Sequence, residues 1–185
     1  MSSQFDQKIS ENPIELSFEQ AIAETQALLD QQNNHSISDQ VFTEQISNLL
    51  ESENGARGFF VTFLTGEWQI ADQDHPSLSQ ALKAQPQPEL LIKNLVMSTA
   101  MRIYHDRAGN SELATGSARV SRRTAQLINH VITPELLAIA KNMSDSAQGN
   151  SQIYQEFLRK WGYDPAQKEA IANCLSAYIS NPAKV

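Results

Sequence analysis

The chain has one cysteine, Cys174, in 185 residues. A lone thiol excludes an intrachain disulfide framework and any zinc site built on several cysteines. It also fits a reducing compartment, so the cytoplasm is the expected location. Bases are few, 14 against 21 acids for a net charge of −7. A nucleic-acid-binding domain usually carries a strong basic field, and no aromatics are interleaved among the arginines here, so nucleic acid is not an expected partner. No apolar run approaches the roughly 18 residues needed to span a bilayer, and residues 1–10 hold no basic stretch leading into an apolar core. Neither membrane insertion nor secretion is expected.

Catalytic motifs are equally scarce. The four histidines, His35, His75, His105 and His130, are too far apart for a local HExxH pair, and no GxSxG, Walker A or dinucleotide fingerprint occurs. His105 and Asp106 are neighbours, which on a helix point about 100° apart and so form no dyad. Asp72, Asp74 and His75 form a cluster of hard-metal ligand types, but Pro76 and Ser77 break the EF-hand pattern, and a capping and turn role fits them better. Cys174 reads as a small core hydrophobe. The sequence therefore predicts no catalytic residue, no metal and no cofactor, and leans toward a non-enzymatic protein.

What the chain does have is a core, with 41% hydrophobic residues, and legible helix punctuation. The expectation is an all-α, single-domain bundle of about seven to nine helices spanning 1–185, with 1–11 and 181–185 as flexible ends. A first helix runs from Pro13, capped by Asn12, to about Gln31. A second is capped by Ser38, with Val41, Phe42, Ile46, Leu49 and Leu50 buried and Gly55 as its stop. Residues 59–70 have strand-like composition that could make a short β-hairpin. A lone hairpin is marginal in water, so a short buried helix using Phe59, Phe60, Phe63 and Leu64 is preferred. A two-turn helix at 78–84 precedes Pro86 and Pro88. Residues 89–105 are apolar almost all round, as in a central helix. An amphipathic helix follows, from Ser111 or Ser117 to Ile132, then one opened by Thr133-Pro134, and a polar loop at 144–151. Of the two C-terminal helices, the first has Ile153, Tyr154, Phe157, Leu158 and Trp161 inward. The second, opened by Asp164-Pro165 and ended by Asn181-Pro182, has Ile171, Cys174, Leu175, Tyr178 and Ile179 inward.

The charge is unevenly spread: residues 1–89 sum to −11, residues 90–123 to +4 and residues 124–185 to zero. Either the acidic and basic regions pair within the fold, or the basic segment faces an anionic partner. Arg119, Arg122, Arg123, Gln126 and His130 recur at helical spacing and form the first candidate site, an interaction face for an acidic partner protein or a second copy of this chain. Asn94, Ser98, Arg102 and His105 follow one another along the apolar helix and form the second. There they could line a small-molecule pocket, with Arg102 holding an anionic group.

Residues 55–61 (GARGFFV), 93–101 (KNLVMSTAM) and 121–128 (SRRTAQLI) resemble small helical proteins of cyanobacteria that lack an assigned function. The resemblance covers roughly residues 10–135. It implies a bacterial cytosolic protein and transfers no site residue. The expected function is that of an interaction or regulatory protein using its basic helix face, with the anion pocket as the alternative.

Overall fold

The structure, a computed structural model that describes residues 16–180, contains nine α-helices and one 3₁₀ turn among those residues, and no strand. The helices are α1 (Phe18–Asn33), α2 (Asp39–Leu50), α3 (Glu53–Thr65), α4 (Pro76–Ala84), α5 (Pro88–Arg107), α6 (Ser111–His130), α7 (Pro134–Ala147), α8 (Gln155–Lys160) and α9 (Pro165–Ser180). The 3₁₀ turn is Gln69–Asp72. No helix among the described residues is long and apolar enough to cross a membrane.

Short hydroxyl side chains start four of these helices. Ser17, Ser38, Ser52 and Thr133 each accept from a backbone N–H of the first turn, and Ser17 and Gln20 exchange bonds as a capping box. The cap at Ser17 starts α1 at Phe18 rather than at Pro13; Asn12 and Pro13 lie outside the described residues, as do 1–11, Asn181 and Pro182. Ser52 likewise explains why 59–70 is no hairpin. It accepts from Gly55 N at 3.0 Å and launches one continuous helix through Thr65, which places Phe59, Phe60, Phe63 and Leu64 on a single buried face. Gly55 is therefore in the first turn of α3 and does not stop α2.

The N-terminal group packs α1 on α3 and α2 on α4, and the C-terminal group packs α7 on α9. The α5–α6 hairpin joins them: α6 meets α3 and α4, while α5 meets α7 and α9. Gly109, at φ 72°, makes the reversal, with Asn110 N bonding to His105 O and Gly109 N to Asp106 O. This pairing satisfies the last carbonyls of α5 and brings α6 back along it. The expected central helix is thus present, though Arg102 and Tyr104 face solvent.

Four other expectations change. Val41 is exposed, and so are Ile153 and Trp161, because α8 has only six residues and leaves them at or beyond its ends. The expected polar loop at 144–151 is helical to Ala147. There Ser144 and Ser146 are buried, and Ser146 Oγ accepts from Tyr154 N at 3.1 Å. Cys174, by contrast, packs against the core on α9 as expected; its thiol donates to Ile171 O, and burial pushes its pKa up to about 11, far from thiolate character at neutral pH.

Candidate functional site

The basic residues of α6 converge on one segment, residues 67–74. Arg119 bonds Glu67, Arg122 bonds Asp72 Oδ1 at 2.7 Å, and His130 Nε2 lies 3.4 Å from Asp74 Oδ1. Arg123 does most. Its Nε and Nη2 donate to the two oxygens of Asp72 at 2.9 and 2.8 Å, and its Nη1 donates to the carbonyls of Leu64 at 3.0 Å and Gly66 at 2.7 Å, with Phe63 at 3.3 Å. Those carbonyls belong to the last turn of α3 and to the capping residue Gly66 just after it, where no intrahelical partner is available. A planar guanidinium with five donors is suited to close a helix end and bind a carboxylate at once. Only 1% of the Arg123 side chain is exposed, so it is not part of any surface. The interaction face reduces to Arg119, Arg122, Gln126 and His130, and three of these four already hold a partner in residues 67–74. Of the three residues for which a capping and turn role is expected, Asp72 holds arginines, Asp74 faces His130, and His75 Nδ1 accepts from Ser77 N to start α4.

The Arg123 hydrogen bonds foremost, with those of Arg122, hold the Asp72 carboxyl well below the usual carboxylate range against the opposing effect of desolvation. A carboxyl more acidic in the folded than in the unfolded chain contributes stability that is present above its unfolded pKa of about 3.9 and is lost as pH falls toward the folded value. Asp72→Asn is therefore expected to be less stable than the native chain at pH 7, and the gap should shrink below about pH 4. Urea unfolding of both proteins from pH 7 to pH 3 measures it. A constant gap would mean the carboxylate charge is not the source.

A second constellation lies between α5 and α6. A groove of about 460 Å³ is lined on the α5 side by Asn94, Met97, Ser98, Met101 and His105, and on the α6 side by residues that include Leu113, Gly116 and Arg119. Asn94, Ser98 and His105 thus share a site as their spacing suggests. Arg102 does not. It stands about 80° around the helix from Asn94, its side chain is 62% exposed, and it pairs with Asp106 at 3.7 Å. The cation in the groove is Arg119, which the sequence placed on a different candidate surface.

Seven buried side-chain polar atoms among the described residues have no hydrogen-bond partner, and three of them, Asn94 Nδ2, His105 Nδ1 and Arg119 Nε, are on residues lining this groove. Sheltered polar atoms normally find partners, because leaving one unmet costs roughly 1–3 kcal/mol. All three can donate. Ser98 Oγ spends its proton on Asn94 O at 2.7 Å, so it offers only acceptor capacity. The remaining lining is mainly apolar, the composition of a small-molecule site with a few convergent polar groups. Gly116 is open space: a Cβ there would meet nothing within 4 Å.

Comparison with curated proteins and with solved structures finds no match. A family model described as uncharacterised conserved protein UCP020893 matches residues 17–178, which include α1 through most of α9. By that match, over nearly its whole length, the chain belongs to the family of uncharacterised conserved protein UCP020893.

Proposed function

We propose that this protein binds a small anionic or acceptor-bearing molecule in the groove between α5 and α6. The supporting observation is that three residues with an unpartnered donor atom, Asn94, His105 and Arg119, line one largely apolar depression. A ligand oxygen reaching any one of them would relieve an existing penalty rather than compete with an existing bond. Arg119, not Arg102, supplies the charge. The reading assigns binding and no reaction. Its setting is a bacterial cytosol, supported by the single cysteine and by the likeness of residues 55–61, 93–101 and 121–128 to the helical proteins of cyanobacteria.

The test is a thermal-shift screen of small carboxylates, phosphates and sulfonates. A ligand at about a hundred times its Kd stabilises by about 2.7 kcal/mol, which for a chain of this size raises Tm by about 5–10 °C. Arg119→Gln should weaken the best stabiliser, and Arg102→Ala should leave it unchanged. Gly116→Leu fills the groove where there is room for it and removes a helix-interior glycine worth about 1 kcal/mol. It should abolish the ligand response without lowering the ligand-free Tm. A stabiliser that acts equally on Gly116→Leu binds elsewhere, and a screen that leaves the native Tm unmoved refutes the reading.

A further inference from the structure

A second depression, of about 390 Å³, abuts the first and shares Thr65, Asn94, Met97 and Val120 with it. Beyond that edge its lining is mainly apolar, with Phe60, Leu64, Leu90 and the partly exposed Val61 and Trp161. Arg57 and Lys93 also line it, each paired with an acid of its own helix, Glu53 and Glu89, so the second depression adds mainly apolar surface beside the first. In the first depression Arg119 is bound to Glu67, whose side chain is 84% exposed, while Arg119 Nε has no partner. A pair with so exposed an acid contributes little, since the carboxylate is nearly as well solvated when free. A ligand carboxylate seated in the groove could take the guanidinium by two parallel bonds from Nη1 and Nη2, the first in place of Glu67. A dianion would be less well suited, because Glu112 also lines the groove.

Building on the binding reading above, we propose that the ligand is a monocarboxylic acid with an unbranched apolar chain. Its carboxylate displaces Glu67 from Arg119, and its chain crosses Met97 into the second depression. Met97 suits that passage, since an unbranched thioether adjusts to what lies against it.

The experiment titrates butyrate, octanoate, decanoate and dodecanoate, below their micellar concentrations, into the full chain by calorimetry. Affinity should rise about two- to fourfold per added methylene. Val61→Glu should flatten that rise, and Glu67→Gln, which removes the competing acid, should tighten every member of the series several-fold, with circular dichroism confirming an unchanged fold. Gly116→Leu should abolish binding. Carboxylates that bind the groove with no dependence on chain length would overturn the chain assignment and leave the groove as a small-anion site. Binding that Glu67→Gln does not tighten would overturn the displacement of Glu67. Binding that survives Gly116→Leu would be adsorption elsewhere and would overturn the proposal. If none of the four acids binds while another anion from the thermal-shift screen does, the ligand class is wrong but the site is right; if nothing binds in either experiment, both readings fail.

Discussion

Arg123→Met is expected to lower the free energy of unfolding by about 3 kcal/mol or more, one of the two largest effects foreseen for a single substitution in this chain. Methionine keeps the length and apolar stem of the side chain but none of its donors. The carbonyls of Leu64 and Gly66 then lose their short bonds, and Asp72 loses its bidentate partner. Hydrogen bonds to a charged group contribute about 1.5–3 kcal/mol each, although water reaching the half-exposed Asp72 offsets part of the loss. Arg123→Lys should recover only part, because one ammonium cannot span both the helix end and the carboxylate. The neighbour provides the contrast: Arg122 pairs with the same Asp72 but its side chain is 52% exposed, and Arg122→Met should cost less than about 1 kcal/mol. Urea denaturation of the three variants measures the ranking. Equal losses at 122 and 123 would refute the view that Arg123 closes α3.

Gly58→Ala should also destabilise the fold, by up to about 2 kcal/mol net, for a different reason. A Cβ at Gly58 would come within 2.4 Å of the Ala21 Cβ and 3.0 Å of the Ala21 and Ile22 backbone. Glycine is required there because α1 and α3 approach each other backbone to backbone. The neighbour cannot swing away, since part of what it presents is main chain, so the helices must separate and loosen contacts made by Phe59 and Leu29. Overpacking costs about 1–3 kcal/mol, and contacts this short against main chain belong to the upper part of that range, which exceeds the roughly 1 kcal/mol that alanine gains over glycine within a helix. Gly58→Val should cost more. Ala21→Gly in the background of Gly58→Ala should recover part of the loss, and thermal or urea unfolding of this double-mutant cycle measures the coupling. Additive effects would show that the two helices are not in contact at these positions.

Both effects arise where one element meets another, and that is where the sequence was hardest to read. Single elements were legible: Ser38, Thr133-Pro134 and Pro88 mark helix starts, Gly109 and Gly162 mark ends in the left-handed region, and the spacing of Phe59, Phe60, Phe63 and Leu64 fits a buried helix better than a strand. Helix ends without a strong cap were less so, as at Ser144 and Ser146, where serines that look like loop are buried in α7. Of the groove, Asn94, Ser98 and His105 could be grouped because they recur on one face of one helix. Arg119 could not, because its membership depends on how far α6 turns back along α5, which Gly109 and the packing decide together.

The charge pattern shows the same division. An acidic region beside a basic one was apparent along the chain, and one reading of it was internal pairing. The acids that do the pairing, Glu67, Asp72 and Asp74, were visible as charges, but nothing local marks them as partners for residues about 50 positions away. Composition, caps and periodicity determined that this is an all-α protein, where most of its helices lie and which of their faces are apolar, because those properties depend on neighbours within a turn or two. Only the tertiary structure decided that Arg123 is buried rather than displayed, that Gly58 must have no side chain, and that Arg119 rather than Arg102 faces the groove. Each of those outcomes depends on a separation of a few ångströms between helices, and in this chain only the packing of the core determines that distance.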